Sequence, residues 1–207
     1  MVNSWTEATD RTGSTVRVAS FDYYKAFNLM KHHIPAKKVS LLSMPLFIKR
    51  WVINFLIRRQ VKLADILSGV PQGTKLRPWL FLLMINDLWS PQVQTWKYID
   101  DTTISEVMPE CSTTNIHDAV DNIQTWSTTD RLQLNVAKYK ELVISFSKPV
   151  NNFPSLNIDS VQLKVVMNAR VLGLTISNNL KWNDHMANII KKANKPLYFI
   201  VKMHQSP

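Results

Sequence analysis

Polar and apolar positions follow two different periods along the chain, and each period predicts one kind of element. Strict alternation predicts a strand over residues 16–21, VRVASF, which leads directly into Asp22. Short apolar runs bounded by turn residues predict further strands at 61–67, 141–147, 160–166 and 170–177. Apolar residues three and four apart predict helices at 45–59, 78–89, 112–133 and 182–203, and a shorter one that begins at Lys25 and is interrupted by Pro35. Because strands and helices are mixed without strict alternation, we expect an α+β fold.

An acidic pair lies within one further predicted element. Residues 95–107, TWKYIDDTTISEV, predict a hairpin with Asp100 and Asp101 at its turn. Adjacent carboxylates flanked by strand residues repel each other, and a divalent cation removes that cost. Since side chains alternate along a strand, we expect Asp100 to share a site with Asp22 and Asp101 to lie at its periphery. An exposed, solvated turn is the competing interpretation of this pair.

The charge balance indicates the kind of partner that the protein binds. The 207 residues carry 25 Lys and Arg against 15 Asp and Glu, a formal net charge of +10. No acidic residue occurs from Tyr23 to Ala64, or from His185 to the C-terminus. Such stretches favour a polyanion, above all a nucleic acid, because each neutralised phosphate releases counterions. A basic solvated face without a partner remains the alternative.

Cysteine usage and hydropathy exclude several classes. With Cys111 as the single cysteine, a disulfide framework and a Cys-rich zinc site are excluded, and we expect a reducing intracellular compartment, either nucleus or cytoplasm. The longest dense apolar run, residues 78–85, is far shorter than the roughly 20 residues that span a bilayer. The N-terminus has no apolar core of the secretory type. We therefore expect no membrane-spanning segment and no membrane partner.

Five motifs occur in a fixed order along most of the chain. They are FDYYKAFN at 21–28, SGVPQGTKLRPWLFLLMINDL at 68–88, KYIDDTTI at 97–104, LQLNVAKYKELVISF at 132–146 and VLGLTISNNLKWNDHM at 171–186. Together they resemble the palm and thumb of the reverse transcriptase of a non-LTR retrotransposon, from about residue 16 to residue 203. The resemblance implies RNA-directed DNA polymerisation, with an RNA template and a DNA primer, or an RNA–DNA duplex, as partners and deoxynucleoside triphosphates as substrates. It also implies two Mg²⁺ ions, or Mn²⁺ in their place.

The resemblance implies catalytic roles for four residues. Asp22 matches the first catalytic, metal-binding carboxylate of the family. Asp100 matches the second, in a motif written aromatic-x-Asp-Asp, and Asp101 follows it as a further metal-binding carboxylate. Lys138, within LNVAKY, matches a lysine that serves as general acid for the pyrophosphate leaving group, a role that a lysine ammonium can fill.

Three more residues match substrate-binding positions of the family. Phe27 matches the aromatic residue beneath the incoming sugar, which disfavours a ribose by collision with its 2′-hydroxyl. Gln72 matches a residue that touches the incoming nucleotide and the template, and Gly73 follows it in a loop whose glycines let the backbone approach a nucleotide closely. Trp182 and His185 belong to a thumb motif, where we expect them to pack rather than to catalyse.

The resemblance also implies an arrangement of domains. We expect a polar tail at 1–15, a palm of antiparallel sheet backed by helices at 16–148 and a thumb-like subdomain at 149–207, with the fingers largely missing through truncation at the N-terminus. The chain departs from the family at Asn28, where an acidic residue is usual, and at Arg77, where glycine is usual. We expect arginine at position 77 to strain the backbone there.

Three functional hypotheses stay open at this point. The first is a reverse-transcriptase fragment that carries out nucleotidyl transfer. The second is a catalytically silent, basic domain that binds nucleic acid. The third is another two-metal enzyme such as a nuclease, which would need further acids or a histidine beside the pair, whereas only Asp101 and Glu106 lie near Asp100 in the sequence.

Overall fold

The elements of a computed structural model follow the predicted α+β order. It describes residues 1–12, 14–57, 60–61, 64–65, 68–70, 73–109, 113–146, 153–159 and 161–204. The helices are α1 (Val2–Thr12), α2 (Ala26–Leu29), α3 (His33–Leu41), α4 (Leu46–Ile57), α5 (Leu76–Met84), α6 (Ile116–Thr129) and α7 (Asn183–His204), with a 3-10 helix at Val136–Lys138. The strands are β1 (Thr15–Asp22), β2 (Gln60–Val61), β3 (Ala64–Asp65), β4 (Gln94–Tyr98), β5 (Asp101–Met108), β6 (Lys140–Ile144), β7 (Asn157–Ile158), β8 (Val161–Gln162), β9 (Lys164–Val165), β10 (Asn168–Val171) and β11 (Leu174–Ser177).

The main sheet has five strands in the order β4-β5-β1-β6-β9 and is covered on both faces. Neighbouring strands from β4 to β6 are antiparallel, and β9 joins β6 in parallel. On one face, Val16 and Val18 of β1 pack in a cluster with α1 and the β10–β11 hairpin. On the other face, Ala19 and Phe21 pack against α6. Burial on both faces explains why β1 carries apolar side chains on each face, although Thr15, Arg17 and Ser20 are polar.

The N-terminal segment differs from the expected polar tail. Residues 2–12 form α1, and the side chain of Trp5 is fully buried against the sheet. Val2, Trp5 and Ala8 recur every three residues, so they share one face of the helix and all pack in the same cluster. Their spacing is hidden in the sequence by the polar residues between them.

A second core lies among helices α3, α4 and α5. Val39 of α3, Val52 of α4 and Phe81 of α5 are buried there together. The predicted break near Pro35 falls before the proline, because α2 ends at Leu29 and α3 begins at His33. Proline is tolerated as the third residue of α3, since a first-turn amide has no intrahelical acceptor.

The C-terminal strands are shorter than predicted. Instead of one strand at 170–177, the chain forms the β10–β11 hairpin, with Leu172 and Gly173 at φ values of 49° and 85°. Two left-handed residues make the tight turn of a two-residue hairpin, so the glycine ends a strand rather than continuing it. Residues 161–162 and 164–165 likewise form two strands, β8 and β9, where one was predicted.

Helix α7 is attached to this hairpin through His185, one of the two residues expected to pack, whereas Trp182 is 48% exposed. The backbone N–H of Thr175 donates to Nδ1 of His185 at 3.2 Å, and the rings of His185 and Trp182 lie 5.6 Å apart. Pro196 lies inside the helix without ending it. Within the described residues, no helix has the length and apolar character needed to cross a membrane.

A buried ion pair joins the centre of the sheet to its surroundings. Arg17 of β1 and Glu141 of β6 are almost fully buried, with an N–O separation of 2.6 Å. Arg17 also donates to the carbonyl oxygen of Pro154 at 2.9 Å. The pair therefore fixes β1, β6 and the 153–156 segment relative to one another, and β1 is the strand that ends in Asp22.

Candidate active site

Asp22 and Asp101 are direct cross-strand neighbours. The antiparallel register of β1 and β5 pairs them, and directly paired residues project from the same face of a sheet. The β4–β5 register pairs Tyr98 with Asp101 and leaves Ile99 and Asp100 as a two-residue turn, which confirms the predicted hairpin. Asp101 lies at the start of β5, opposite Asp22, and not in the turn itself. Its expected place at the periphery of a metal site stays a prediction.

The three carboxylates influence one another electrostatically. Partial burial raises the pKa of Asp101 above its ordinary value, and the nearby charges of Asp100 and then Asp22 raise it further. Lys138 acts in the opposite direction. A bound cation would relieve the repulsion among these like charges.

Lys138 and Asn135, which are distant from Asp22 in the sequence, both contact its carboxylate. The Lys138 ammonium forms an ion pair with Oδ2 of Asp22, and this hydrogen bond is the main cause of the raised pKa of the lysine. Nδ2 of Asn135 donates to the same oxygen at 3.3 Å, and its backbone N–H donates to the Asp22 carbonyl at 2.9 Å. The Lys138 side chain is still 65% exposed, so its ammonium remains accessible to a ligand.

Sequence reasoning missed Asn135. It lies in the motif LNVAKY, three residues before Lys138, and that motif is the only signal that could have found it. Its partner Asp22 is 113 positions away along the chain, so local periodicity carries no information about the contact.

The hairpin turn beside the carboxylates contains a backbone outlier. Ile99 has a φ of 53°. A β-branched residue is strained in the left-handed region, because its Cβ substituents crowd the backbone. The strain lies between Tyr98 and Asp100, at the point where the chain must reverse to bring Asp101 opposite Asp22.

A glycine-containing loop is fixed to the segment that follows Asp22. The N–H of Gly69 donates to the Met30 carbonyl at 2.9 Å, and the N–H of Val70 donates to the Phe27 carbonyl at 3.0 Å. Nε2 of buried His32 lies 2.6 Å from the Gly69 carbonyl oxygen, which can only accept, so this nitrogen carries the hydrogen. The backbone around Phe27 and the start of the loop thus form one unit.

Gln72 and Gly73 are the two loop residues predicted to contact the nucleotide. Gln72 lies outside the described residues. Gly73 is exposed, with a φ of 82°, and a Cβ added there would meet no atom within 4 Å. The backbone at Gly73 is therefore open to approach by a ligand.

Phe27 lies between the apolar core and an arginine. Its ring centroid is 5.1 Å from that of buried Phe81, and Cζ of Arg77 lies 4.3 Å from the Phe27 centroid. Arg77 belongs to α5 and has no left-handed φ, so the expected backbone strain is absent. A helical position accepts arginine in place of glycine, and the side chain is placed over the aromatic ring.

The donor set suits a hard divalent cation that arrives with its substrate. Carboxylate oxygens are ligands that Mg²⁺ prefers, and it commonly takes one or two of them together with water and substrate phosphates. Across the part of the chain that the structure describes, no three His, Cys, Asp or Glu side chains are grouped closely enough to hold a metal ion by themselves.

Comparison with known proteins identifies the family. The family model described as reverse transcriptase (RNA-dependent DNA polymerase) matches residues 2–176, so the chain belongs to the reverse transcriptase family. The matching curated proteins include a probable RNA-directed DNA polymerase from transposon X-element and the RNA-directed DNA polymerase from mobile element jockey, both of Drosophila melanogaster. They are 24% and 22% identical over 77% and 61% of this chain. The matched regions are 18% and 15% of those two proteins, so the chain spans less than a fifth of their length.

Solved structures share the fold. Telomerase from Candida tropicalis in complex with the TWJ fragment of telomeric RNA has a TM-score of 0.57 at 10% identity, over 87% of this chain and 31% of that one. Apo telomerase of the same organism, truncated from the C-terminal domain, has a TM-score of 0.54 at 11% identity, over 86% of this chain and 37% of that one. At such low identity these matches establish a common fold.

Proposed function

We propose that the chain carries the palm of an RNA-directed DNA polymerase that adds deoxynucleotides to a DNA primer on an RNA template. The observation that carries the proposal is the pairing of Asp22 with Asp101 across β1 and β5, with Asp100 in the adjoining turn. This pairing occurs in a chain of the reverse transcriptase family. The retrotransposon origin rests on the likeness to the polymerases of the X-element and jockey.

The proposed reaction is a nucleotidyl transfer. The primer 3′-oxygen forms a bond to the α-phosphorus, the bond from that phosphorus to the leaving oxygen breaks, and pyrophosphate departs. Asp22, Asp100 and Asp101 would hold two Mg²⁺ or Mn²⁺ ions. When bound, these ions supply charge neutralisation at the phosphate and lower the pKa of the attacking hydroxyl. Lys138 would then neutralise the pyrophosphate or donate a proton to it.

Substrate contacts come from the unit formed by Phe27 and the loop. Phe27 would lie beneath the incoming sugar, and Gln72 and Gly73 would contact the nucleotide and the template. The open backbone at Gly73 and the anchoring of the loop to the Phe27 segment support this arrangement.

The domain assignment belongs to the same proposal. We assign 16–148 to the palm and 149–207 to a thumb-like subdomain. The antiparallel strands β4, β5, β1 and β6 all fall in the first range, and the lysine-bearing helix α7 falls in the second. Because the chain spans a small part of its relatives, the activity of the whole protein and its partners are included in this proposal.

Primer extension tests the proposal. The purified chain is incubated with Mg²⁺ or Mn²⁺, a DNA primer on an RNA template and deoxynucleoside triphosphates. We expect extension by the wild type, its loss in Asp100→Ala and Asp22→Asn, and its retention in Arg170→Ala, which removes one charge from an exposed position of β10. Extension that survives in Asp100→Ala contradicts the assignment of the site.

A second candidate function is a catalytically silent domain that binds nucleic acid. The net charge of +10 favours it, as does the ion pair that already neutralises Asp22. This candidate predicts salt-dependent binding of RNA or DNA that persists in Asp22→Asn and Asp100→Ala, without extension by the wild type. Binding with extension by the wild type supports the polymerase instead.

A further inference from the structure

Arg77 presents unpaired donors beside the proposed nucleotide site. Its Cζ lies 4.3 Å from the centroid of the Phe27 ring, and its side chain is partly exposed. Among the described residues, no carboxylate or carbonyl accepts a hydrogen bond from its guanidinium. A guanidinium has five N–H donors, so an unpaired one is prepared for an external acceptor.

The sequence on both sides of Arg77 lacks the acidic residues that ordinarily neutralise an arginine. No acidic residue occurs in the sequence from 66 to 86, which includes the loop and α5, and this stretch also contains Lys75. A planar cation stacked on an aromatic ring keeps its edge free and loses little conformational freedom when it binds. The acceptor that matches a free guanidinium edge is a bidentate anion such as phosphate.

The position of Phe27 limits where that phosphate can come from. The ring contacts buried Phe81 of the core, whereas Arg77 lies on the partly exposed part of the molecule. A ligand that approaches Phe27 therefore meets the guanidinium. If Phe27 lies beneath the incoming sugar, the phosphates of that nucleotide and of the template strand are the nearest anions.

We propose that Arg77 binds a phosphate group of the substrate, with its guanidinium oriented by stacking on Phe27. The inference rests on the proposed function, because it takes Phe27 as the floor of the nucleotide site. The phosphate belongs either to the triphosphate of the incoming nucleotide or to the template backbone. This role gives the arginine a function at a position where the resemblance described above implies glycine.

Binding measurements on the full chain test the inference with two separate probes. One probe is a fluorescent deoxynucleoside triphosphate, and the other is an RNA–DNA primer–template duplex. We expect Arg77→Ala to weaken the binding of one probe about tenfold, as for the loss of a charge-assisted hydrogen-bonded contact. Arg77→Lys should fall between Arg77→Ala and the wild type, because an ammonium keeps the charge without the planar fork.

The probe that responds identifies the source of the phosphate. Weaker binding of the triphosphate alone assigns Arg77 to the incoming nucleotide. Weaker binding of the duplex alone, with a salt slope reduced by about one, assigns it to the template backbone. In Phe27→Leu, which removes the stacking surface, Arg77→Ala should have a smaller effect than in the wild type.

The matched control is Arg170→Ala, which removes the same charge from an exposed position of β10 and should leave both affinities near those of the wild type. Equal affinity of wild type and Arg77→Ala for both probes overturns the inference alone, as does tighter binding by Arg77→Ala, which would mean that the side chain obstructs the site. A wild-type chain that binds neither probe contradicts the proposed function and this inference together. Thermal melting of each variant shows whether the chain is folded in the assay.

Discussion

At the residue scale, Asp22 is held by contacts from three parts of the chain. The strand register places Asp101 opposite it, the turn adds the charge of Asp100, and the segment from Asn135 to Lys138 supplies a hydrogen bond and an ion pair. A carboxylate among like charges and one exposed ammonium can exchange the ammonium for a metal cation. The site therefore consists of charged side chains that lie close enough together to interact electrostatically.

Tyr139, next to Lys138, provides a prediction about stability. Its hydroxyl is buried and has no hydrogen-bond partner among the described residues, and its ring packs edge-on against Phe21 at 5.2 Å. Tyr139→Phe should keep the ring contact and remove the unsatisfied hydroxyl, so the free energy of unfolding should rise by about 1 kcal/mol at neutral pH. Urea denaturation of the two chains measures the difference.

The same residue gives the folded state a pH dependence. Burial raises the pKa of Tyr139 above its ordinary value of 10.0, and the charges of Tyr23, Asp159 and Asp22 add to the effect. The folded chain thus keeps a proton that the unfolded chain releases, so stability is complete below about pH 10 and falls as the pH rises further. The fall should be shallower in Tyr139→Phe. A variant that loses stability at neutral pH, or keeps the full alkaline slope, contradicts this account.

At the residue scale, the sequence predicts identities better than contacts. The positions of Asp22, Asp100, Asp101 and Lys138 follow from motifs read along the chain. Their partners do not, because the contact of Arg77 with Phe27 depends on how α5 packs against the segment after β1. Arg77 shows this limit of sequence-based prediction most clearly. The sequence predicts backbone strain at this position, whereas α5 accommodates the residue in a helical conformation.

At the element scale, the segment 27–32 and the loop from Ser68 form one substructure. Backbone hydrogen bonds join Phe27 to Val70 and Met30 to Gly69, and His32 holds the Gly69 carbonyl. These hydrogen bonds fix residues 69 and 70 of the loop against the segment that carries Phe27. The proposed nucleotide contacts depend on that arrangement.

Gly69 and Gly73 offer a matched test of the packing of the loop against Asn28. Both have a φ of 82°, but a Cβ on Gly69 would lie 3.0 Å from the Asn28 carbonyl oxygen, and one on Gly73 would meet nothing within 4 Å. Gly73→Ala should lose about 1 kcal/mol of unfolding free energy, from the left-handed backbone alone. Gly69→Ala should lose about 2–3 kcal/mol, because the backbone crowding adds to that strain.

Urea denaturation of the two variants beside the wild type checks this difference. The Gly73 variant is the control for the left-handed backbone, which both substitutions share. Equal losses in the two would contradict the docking of the loop against Asn28.

Elements marked by a local sequence pattern are predicted well, whereas elements that depend on contacts with residues distant in the sequence are not. The β4–β5 hairpin is confirmed because alternation and an acidic turn mark it in 95–107. Helix α1 was missed because its apolar residues are few and gain their burial from the sheet, which is distant in sequence. The β10–β11 hairpin was missed because its turn uses Leu172 beside Gly173, and leucine is not a turn residue by composition.

At the scale of the whole molecule, the sheet is the support for the site. Apolar clusters cover both faces of β1, and the Arg17–Glu141 pair fixes its neighbour β6 and the segment at 153–156. The carboxylates lie where β1 ends and β5 begins, so the antiparallel pairing of these two strands over eight residues positions them. The acid-free stretch from Tyr23 to Ala64 follows directly, which places positive charge in the chain segments that come after the site.

The central claim of this account is that Asp22 and Asp101 share a divalent-cation site, and a Mn²⁺ titration of the full chain tests it most directly. Electron paramagnetic resonance measures free Mn²⁺ in solutions of the wild type, Asp22→Asn, Asp101→Asn, Lys138→Met and, as a control at an exposed position of α6, Asp121→Asn. We predict that each of the first two substitutions weakens binding by about tenfold or more, and that Lys138→Met strengthens it by removing the competing ammonium. The control should match the wild type. Mn²⁺ affinity that is unchanged in Asp22→Asn and Asp101→Asn would contradict the claim.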